Sequence, residues 1–211
     1  MASFFSLCAV LLCTISMVAG HGRLIKPPSR SSAWRYGFST PANYNDHELF
    51  CGGFGVQYGK NGGKCGICGD PWQGQRANEA GGIYATGTIV GKYQQGETID
   101  IEVELTANHL GWFEFKVCPN NDYTKAATQE CLDKYPIFLP EAGSNRMKIG
   151  SRRGVYKIKG KLPEGLTCTQ CVFQWIYNTG NSWGTDPQTG RGCLGCGNQE
   201  QFRGCADISI S

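Results

Sequence analysis

The sequence predicts a single all-β domain, and three observations support that prediction. Long helical periodicity is absent, glycine is abundant at 30 of 211 residues, and several segments alternate apolar with polar side chains. Alternation with a period of two is typical of a half-buried β-strand. A chain of this length is sufficient for one domain with a sizeable core.

Five segments carry the strand pattern. The clearest is ETIDIEVEL (97–105), in which isoleucine, valine and leucine alternate with acidic residues. The others are GWFEFKVC (111–118), VYKIKGKL (155–162), CVFQWIYN (171–178) and CADISIS (205–211). Strands joined by glycine-rich loops predict a β-sandwich of the immunoglobulin/fibronectin-III-like class, with long disulfide-tied loops and short helices.

The connections between these strands are unequal in length. TQECLDKY (128–135) is predicted to form a short helix. The segment 31–80 fits neither strand nor helix and is rich in glycine, asparagine and aromatic residues. We expect it to be a disulfide-tied loop region against one end of the sandwich. Loops of this length in a compact domain are usually functional.

The first twenty residues are predicted to be a secretory signal peptide. They contain no charged side chain and are apolar from about Phe4 to Val18, a run that is short for a membrane span. Val18 and Gly20 place small residues at positions −3 and −1 of a cut before His21. Residues 21–211 would then form one mature domain, secreted to the extracellular space. No later apolar stretch has membrane length, so we expect no membrane association.

Ten cysteines follow the predicted signal peptide, and an even number in an exported chain predicts a disulfide framework. The sequence leaves their pairing open. Three C-x-x-C pairs, at 65/68, 168/171 and 193/196, suggest an alternative. The last two have a spacing that would suit a zinc ribbon in a cytosolic protein. The signal peptide favours disulfides over zinc.

The mature chain would contain three histidines: His21, His47 and His109. After a cut before His21, the α-amino nitrogen and the ring Nδ1 of that residue can bind one metal ion together. His109 lies between two strand segments, so we expect it at a hairpin tip at one end of the sandwich, where it would add a third nitrogen. Three nitrogen donors without a thiolate favour copper, and metal affinity should fall in acid. His47 is expected to be an ordinary loop histidine.

Several stretches, taken together and in this order, resemble a lytic polysaccharide monooxygenase. They are HGRLIKPPSR at residue 21, CGGFG and GKCGICGDPW, TANHLGWFEF, QWIYNTGNSWG, and the final QEQFRGCADISI. Among these enzymes the chain is most similar to auxiliary-activity family 15, which is found largely in animals. The resemblance extends over nearly all of the predicted mature chain.

The resemblance implies the composition of a metal site. One copper ion per chain would be held by His21 and His109 in a histidine brace. Phe202 matches the axial aromatic, which is tyrosine or phenylalanine in this family, and phenylalanine would shield the metal without binding it. Ala107 matches a small residue that crowds the opposite axial side. Gln174 is a candidate hydrogen-bond donor near the metal.

The resemblance also implies a reaction. Copper reduced by an external electron donor would activate hydrogen peroxide or dioxygen, and a C–H bond beside a glycosidic bond would be oxidised until the chain breaks. We expect insoluble chitin as the substrate, oxidised at C1, with cellulose as the alternative. A crystalline substrate must be met by a surface, on which aromatic rings stack against sugars. Tyr44 is the expected stacking residue, with hydrogen bonds from Asn43, Asn45 and Asp46.

Two other function classes remain open on the sequence. One is a non-catalytic polysaccharide-binding protein on the same fold, and the other is a structural disulfide-rich secreted protein. The net charge of +3 provides no basic patch of the kind that binds nucleic acid. No pair of carboxylates stands out as the acid and base of a glycoside hydrolase. We expect a monomer.

Overall fold

The computed structural model describes residues 21–211, so the predicted signal peptide lies outside the described residues. The strands are β1 (His21–Lys26), β2 (Gly91–Tyr93), β3 (Thr98–Ala107), β4 (Trp112–Pro119), β5 (Arg146–Lys148), β6 (Gly154–Lys161), β7 (Cys168–Asn178), β8 (Trp183–Thr185), β9 (Gly192–Leu194) and β10 (Gln201–Ile210). The α-helix α1 is Gln129–Lys134, and short 3₁₀ or π turns occupy Ala33–Tyr36, Gly55–Lys60 and Pro140–Ala142. Within residues 21–211, every helix is too short or too polar to cross a membrane.

Two sheets pack face to face and confirm the predicted β-sandwich. One has three strands in the order β1-β3-β6, and the other has five in the order β2-β10-β7-β4-β5. β8 and β9 form a separate two-stranded ribbon. The core between the sheets contains the inward side chains of the predicted strands, among them Ile101, Val103, Phe113, Phe115 and Trp175. These strands formed where the period-2 pattern predicted, because at least one face of each is buried.

The prediction that His109 lies at the tip of a hairpin is wrong, because the two flanking strands do not pair with each other. β3 and β4 belong to different sheets, so residues 108–111 cross between the sheets at the end of the sandwich. The apolar side chains of the two strands face each other across the core, whereas a hairpin would place them on one face. Gly111 has a φ of 94°, and a Cβ there would lie 2.0 Å from the Asn178 carbonyl oxygen. The crossing therefore requires glycine at this position.

The segment 31–80 covers the outer face of the five-stranded sheet as well as its end, which extends the prediction. The reason is that β7 is buried on both faces. Phe173 faces the sandwich core, whereas Val172 packs on the other side with Ile67 and Cys68 of this segment and with Leu132 of α1. A sheet that is apolar on both faces must be covered on both.

The cysteines settle a choice that the sequence left open. All ten cysteines within residues 21–211 are paired, as Cys51–Cys65, Cys68–Cys205, Cys118–Cys131, Cys168–Cys171 and Cys193–Cys196. The zinc-ribbon alternative is therefore wrong, because disulfide sulfurs are not zinc ligands. Five disulfides are expected of a protein from an oxidising compartment. The Cys68–Cys205 bond attaches the outer segment to β10.

Candidate metal centre

β1 places His21 beside the start of the loop that carries His109. β1 pairs antiparallel with β3, and the partner of His21 is Ala107, whose side chain is buried. His109 follows two residues later, at the same end of the sandwich. Its backbone is held on both sides: the N–H donates to the Tyr177 hydroxyl at 2.8 Å, and the carbonyl accepts from the Gly180 N–H at 2.8 Å.

The ring of His21 contacts two residues that the sequence analysis did not assign to the site. Its Nε2 lies 2.7 Å from Oε1 of Glu48, and its ring centroid lies 4.9 Å from that of His47. The Gly22 N–H donates to the His47 carbonyl at 3.0 Å, which attaches this loop to β1. A proton on Nε2 that is donated to Glu48 leaves Nδ1 with its lone pair. Nδ1 is the ring atom that would bind copper together with the α-amine.

His21, His47 and Glu48 themselves offer three ligand atoms within 4.8 Å of one another. The 2.7 Å between His21 Nε2 and Glu48 Oε1 is a hydrogen-bond distance. Two nitrogen or oxygen ligands of one ion, each about 2.0–2.2 Å from it, are roughly 3 Å apart when they meet at a right angle. We therefore assign Glu48 as the carboxylate that orients His21, an arrangement that commonly supports metal-binding histidines.

Glu200 is the second carboxylate at this end of the sandwich. Its Oε2 lies 3.9 Å from Nδ1 of His109, and its carbonyl accepts from the Thr179 N–H at 3.0 Å. Burial raises the pKa of the Glu200 carboxyl, and the charge of His21 partly offsets that increase. Burial also raises the pKa of the Tyr177 hydroxyl, which stays neutral beneath His109. Since Glu200 faces Nδ1, the Nε2 of His109 is the ring nitrogen that suits a metal ion.

Phe202 lies on β10 in the core beneath this group. It is buried between the rings of Tyr177 and Phe50, at centroid distances of 5.7 and 5.9 Å. Tyr177 accepts the backbone hydrogen bond of His109, so Phe202 is separated from that residue by one ring. Its predicted axial position remains a prediction.

The structure does not bring Gln174 to the two histidines. Residues three apart on a strand point to opposite faces, so Gln174 faces away from Tyr177 and from the sandwich core. Its side chain is buried, and Nε2 donates to the carbonyl of Ile67 at 2.7 Å and to Oε1 of Gln129 at 3.0 Å. The geometry gives Gln174 a structural role, in which it connects the outer segment and α1 to the sheet.

The loop expected to meet the substrate divides into exposed and buried positions. Tyr44 is 75% exposed, and Asn45 is exposed beside it. Asn43 is buried, and its Oδ1 accepts a backbone N–H from within the loop at 2.9 Å. Asp46 is buried and accepts hydrogen bonds from two arginine side chains. Asn43 and Asp46 therefore shape the loop, and their predicted contact with substrate does not match this geometry.

Comparison with known proteins identifies the family of the chain. The family model described as "Lytic polysaccharide mono-oxygenase, cellulose-degrading" matches residues 21–208. A solved structure, the lytic polysaccharide monooxygenase AA15 from Thermobia domestica in the Cu(I) state, is 47% identical, with a TM-score of 0.86. That match covers 90% of this chain and 98% of the other. No curated protein matches the sequence.

Two further solved structures are more distant. The cellulose-active CelS2 in complex with copper is 14% identical with a TM-score of 0.45, over 90% of this chain and 98% of that one. LPMO10B from Micromonospora aurantiaca is 12% identical with a TM-score of 0.48, over 90% of this chain and 99% of that one. Both scores are too low to carry an argument. On the family model and the Thermobia structure, the chain belongs to the lytic polysaccharide monooxygenases of auxiliary-activity family 15, which are copper-dependent enzymes.

Proposed function

We propose that this monooxygenase is secreted, that residues 1–20 are removed, and that His21 begins a single mature domain, 21–211, which oxidises insoluble chitin at C1. The observation that carries the proposal is the pairing of His21 with Ala107. In a chain that begins at His21, this pairing would bring the α-amine beside the loop of His109. A cut at an earlier position would leave the nitrogen of His21 in an amide, and a cut at a later position would remove His21.

The residues present fit a single copper ion. The amine and Nδ1 of His21 and Nε2 of His109 would hold it, a set of nitrogen donors that copper prefers. When bound, copper supplies the one-electron chemistry that activates hydrogen peroxide or dioxygen with electrons from an external donor. Ala107 and Phe202 are buried and their side chains carry no donor atom, so neither side chain would add a ligand to the ion.

The substrate would lie across the surface that carries these histidines. Tyr44 would stack on a sugar ring, and Asn45 would donate or accept hydrogen bonds beside it, since both are exposed. Chitin is the first choice by analogy, because the family that the chain resembles has an arthropod setting. Cellulose is the second candidate, favoured by the description of the matching family model as cellulose-degrading.

Product analysis tests the proposal. Copper-loaded protein, with His21 confirmed as its first residue by intact mass, is incubated with ascorbate and hydrogen peroxide on chitin and on cellulose. We expect oligosaccharides ending in aldonic acids from chitin. Products from cellulose alone would replace chitin with the second candidate, and products oxidised at C4 would contradict the expected position. No oxidised product from either polymer would refute the proposed function.

Glu48→Ala should weaken copper binding by roughly 10- to 100-fold, the usual effect of removing a group that supports a metal-binding histidine. The reason is the loss of the 2.7 Å contact that selects the His21 tautomer with a free Nδ1. Competition with a chelator of known affinity measures the change. Glu164→Ala is the matched control, because Glu164 is an exposed glutamate that pairs with Lys161 at the other end of the molecule. Equal copper affinities in the two variants would contradict the assignment of Glu48.

A further inference from the structure

Residues 179–200 form a long connection between β7 and β10, which we name the Trp183 hairpin. Its two-stranded ribbon is β8 and β9. The base of this hairpin is joined to the metal centre by backbone hydrogen bonds. Gly180 N–H donates to the His109 carbonyl at 2.8 Å, and Thr179 N–H donates to the Glu200 carbonyl at 3.0 Å. The base of the hairpin is therefore attached on the side of the centre that His109 occupies.

Internal contacts hold the Trp183 hairpin in one shape. The buried side chain of Gln199 accepts from the Ser182 N–H at 3.0 Å and donates to the carbonyls of Ser182 and Cys196 at 3.0 and 2.7 Å. The Cys193–Cys196 disulfide closes the same region. Ser182 directly precedes Trp183, so the backbone that presents the indole is fixed before any ligand binds. Preorganisation of this kind lowers the entropic cost of binding.

One face of the ribbon is apolar and open to solvent. Trp183 is 74% exposed and its cross-strand partner Leu194 is 57% exposed. The indole lies across Gly192, where a Cβ would be only 3.0 Å from the indole Nε1. Thr185 completes this face, and none of these four residues is charged. An exposed apolar surface on a rigid support is the usual mark of an interaction site.

Trp183 and Tyr44 belong to two segments, each of which is attached beside a different histidine of the metal centre. Tyr44 belongs to the loop that is attached to β1 next to His21, through the hydrogen bond between Gly22 and the His47 carbonyl. The Trp183 hairpin is attached to His109. The exposed fractions of the two aromatic side chains are nearly equal, at 75% and 74%. Each of the two histidines is therefore attached, through backbone hydrogen bonds, to a segment that carries one exposed aromatic ring.

We propose that Trp183, with Leu194 beside it, is a second stacking position for the polysaccharide. A chain that contacts Tyr44 would continue past His21 and His109 to Trp183, so the aromatic contacts would lie on both sides of the cleaved bond. The occupant is a neutral polymer, because its sugar rings present C–H faces to the indole and the ribbon face offers no charge to a polyanion. This inference rests on the proposed function of the same site.

Binding isotherms on insoluble polymer test the inference. Copper-loaded wild-type protein and Trp183→Ala are equilibrated with chitin and with cellulose without reductant, and the unbound protein is measured. We expect the variant to bind the substrate polymer roughly tenfold more weakly, since removing an interface tryptophan commonly costs more than 1 kcal/mol. Trp183→Tyr should recover most of the affinity, because tyrosine also stacks.

Phe138→Ala provides the matched control. Phe138 is 44% exposed and bridges to Lys161, which pairs with Thr98 at the end of β3 opposite Ala107. Its variant should bind as the wild type does. Unchanged binding by Trp183→Ala, or an equal loss in Phe138→Ala, would overturn the inference. Failure of the proposed function looks different, because wild-type protein would then release no oxidised product from either polymer.

Discussion

A leader of several residues placed before His21, with its own amino terminus too far away to replace the lost amine, should abolish oxidative cleavage and weaken copper binding by roughly 100- to 10,000-fold. The extension converts the α-amine of His21 into an amide, whose nitrogen no longer offers a basic lone pair. The chelate of amine and Nδ1 is then reduced to a single imidazole. The chelate effect of two donors on one residue is lost, because the second donor no longer acts at a high effective concentration. Calorimetric titration with copper and product mass spectrometry measure the two effects.

A cleavable leader gives the control for this experiment. The same preparation is tested before and after a protease removes the leader and leaves His21 first. Cleavage should restore both copper affinity and products. An extended chain that binds copper as tightly as the cleaved one would contradict the brace.

A pair of histidine variants distinguishes the brace from the neighbouring cluster. His109→Ala should lose copper affinity, whereas His47→Ala should change it by only about threefold, since His47 contacts the ring of His21 but supplies no ligand of the brace. The reverse order would place the metal among His21, His47 and Glu48.

Asp207→Ala should destabilise the fold by about 3–5 kcal/mol, the usual cost of removing one member of a buried ion pair. Arg30 donates from Nε and Nη2 to both oxygens of Asp207, at 2.8 and 2.7 Å, and Gln170 Nε2 donates to the same carboxylate at 2.6 Å. Both charged side chains are buried. The substitution leaves the Arg30 guanidinium without its counter-charge. Urea unfolding followed by tryptophan fluorescence measures the loss.

Asp100→Ala is the matched control for Asp207→Ala. Asp100 also bonds two cations, Lys26 and Lys159, but its side chain is 47% exposed. Exposed ion pairs contribute little to stability, so the midpoint of unfolding should barely move. If Asp207→Ala unfolds at the same urea concentration as Asp100→Ala, the buried pair does not stabilise the fold as we expect.

Local pattern was enough to find the long strands and the helix. All five predicted strand segments lie in β3, β4, β6, β7 and β10, and the predicted helix is α1. β1 was not predicted, because HGRLIK shows little alternation and is a strand only through its pairing with β3. The three-residue strands have the same explanation. Their backbone conformation depends on a partner that is distant in sequence.

The sequence indicated those site residues whose chemistry is recognisable locally, and it missed those whose role depends on a partner distant in sequence. His21 was indicated because a signal-peptide cut before it would free an α-amine for metal binding. His109 was indicated because it lies in a loop at the end of the sandwich, where it can add a third nitrogen. Glu48 and Glu200 carry no such signal, since an isolated glutamate in a loop is usually solvated. Asp46 was misplaced for the opposite reason: its arginine partners, Arg23 and Arg35, are identified only by the folded loop.

The sequence by itself determined the all-β class, the even cysteine count and the two histidines that we propose as copper ligands, because alternation, composition and residue chemistry are local properties. The tertiary structure alone decided that β3 and β4 lie in different sheets, that Cys65 and Cys68 have separate partners, and that Gln174 faces away from the histidines. It also attached the base of the Trp183 hairpin to the His109 backbone, through the N–H of Gly180. These outcomes depend on which segments bury each other's apolar faces, a property of the whole packed chain that no short stretch contains.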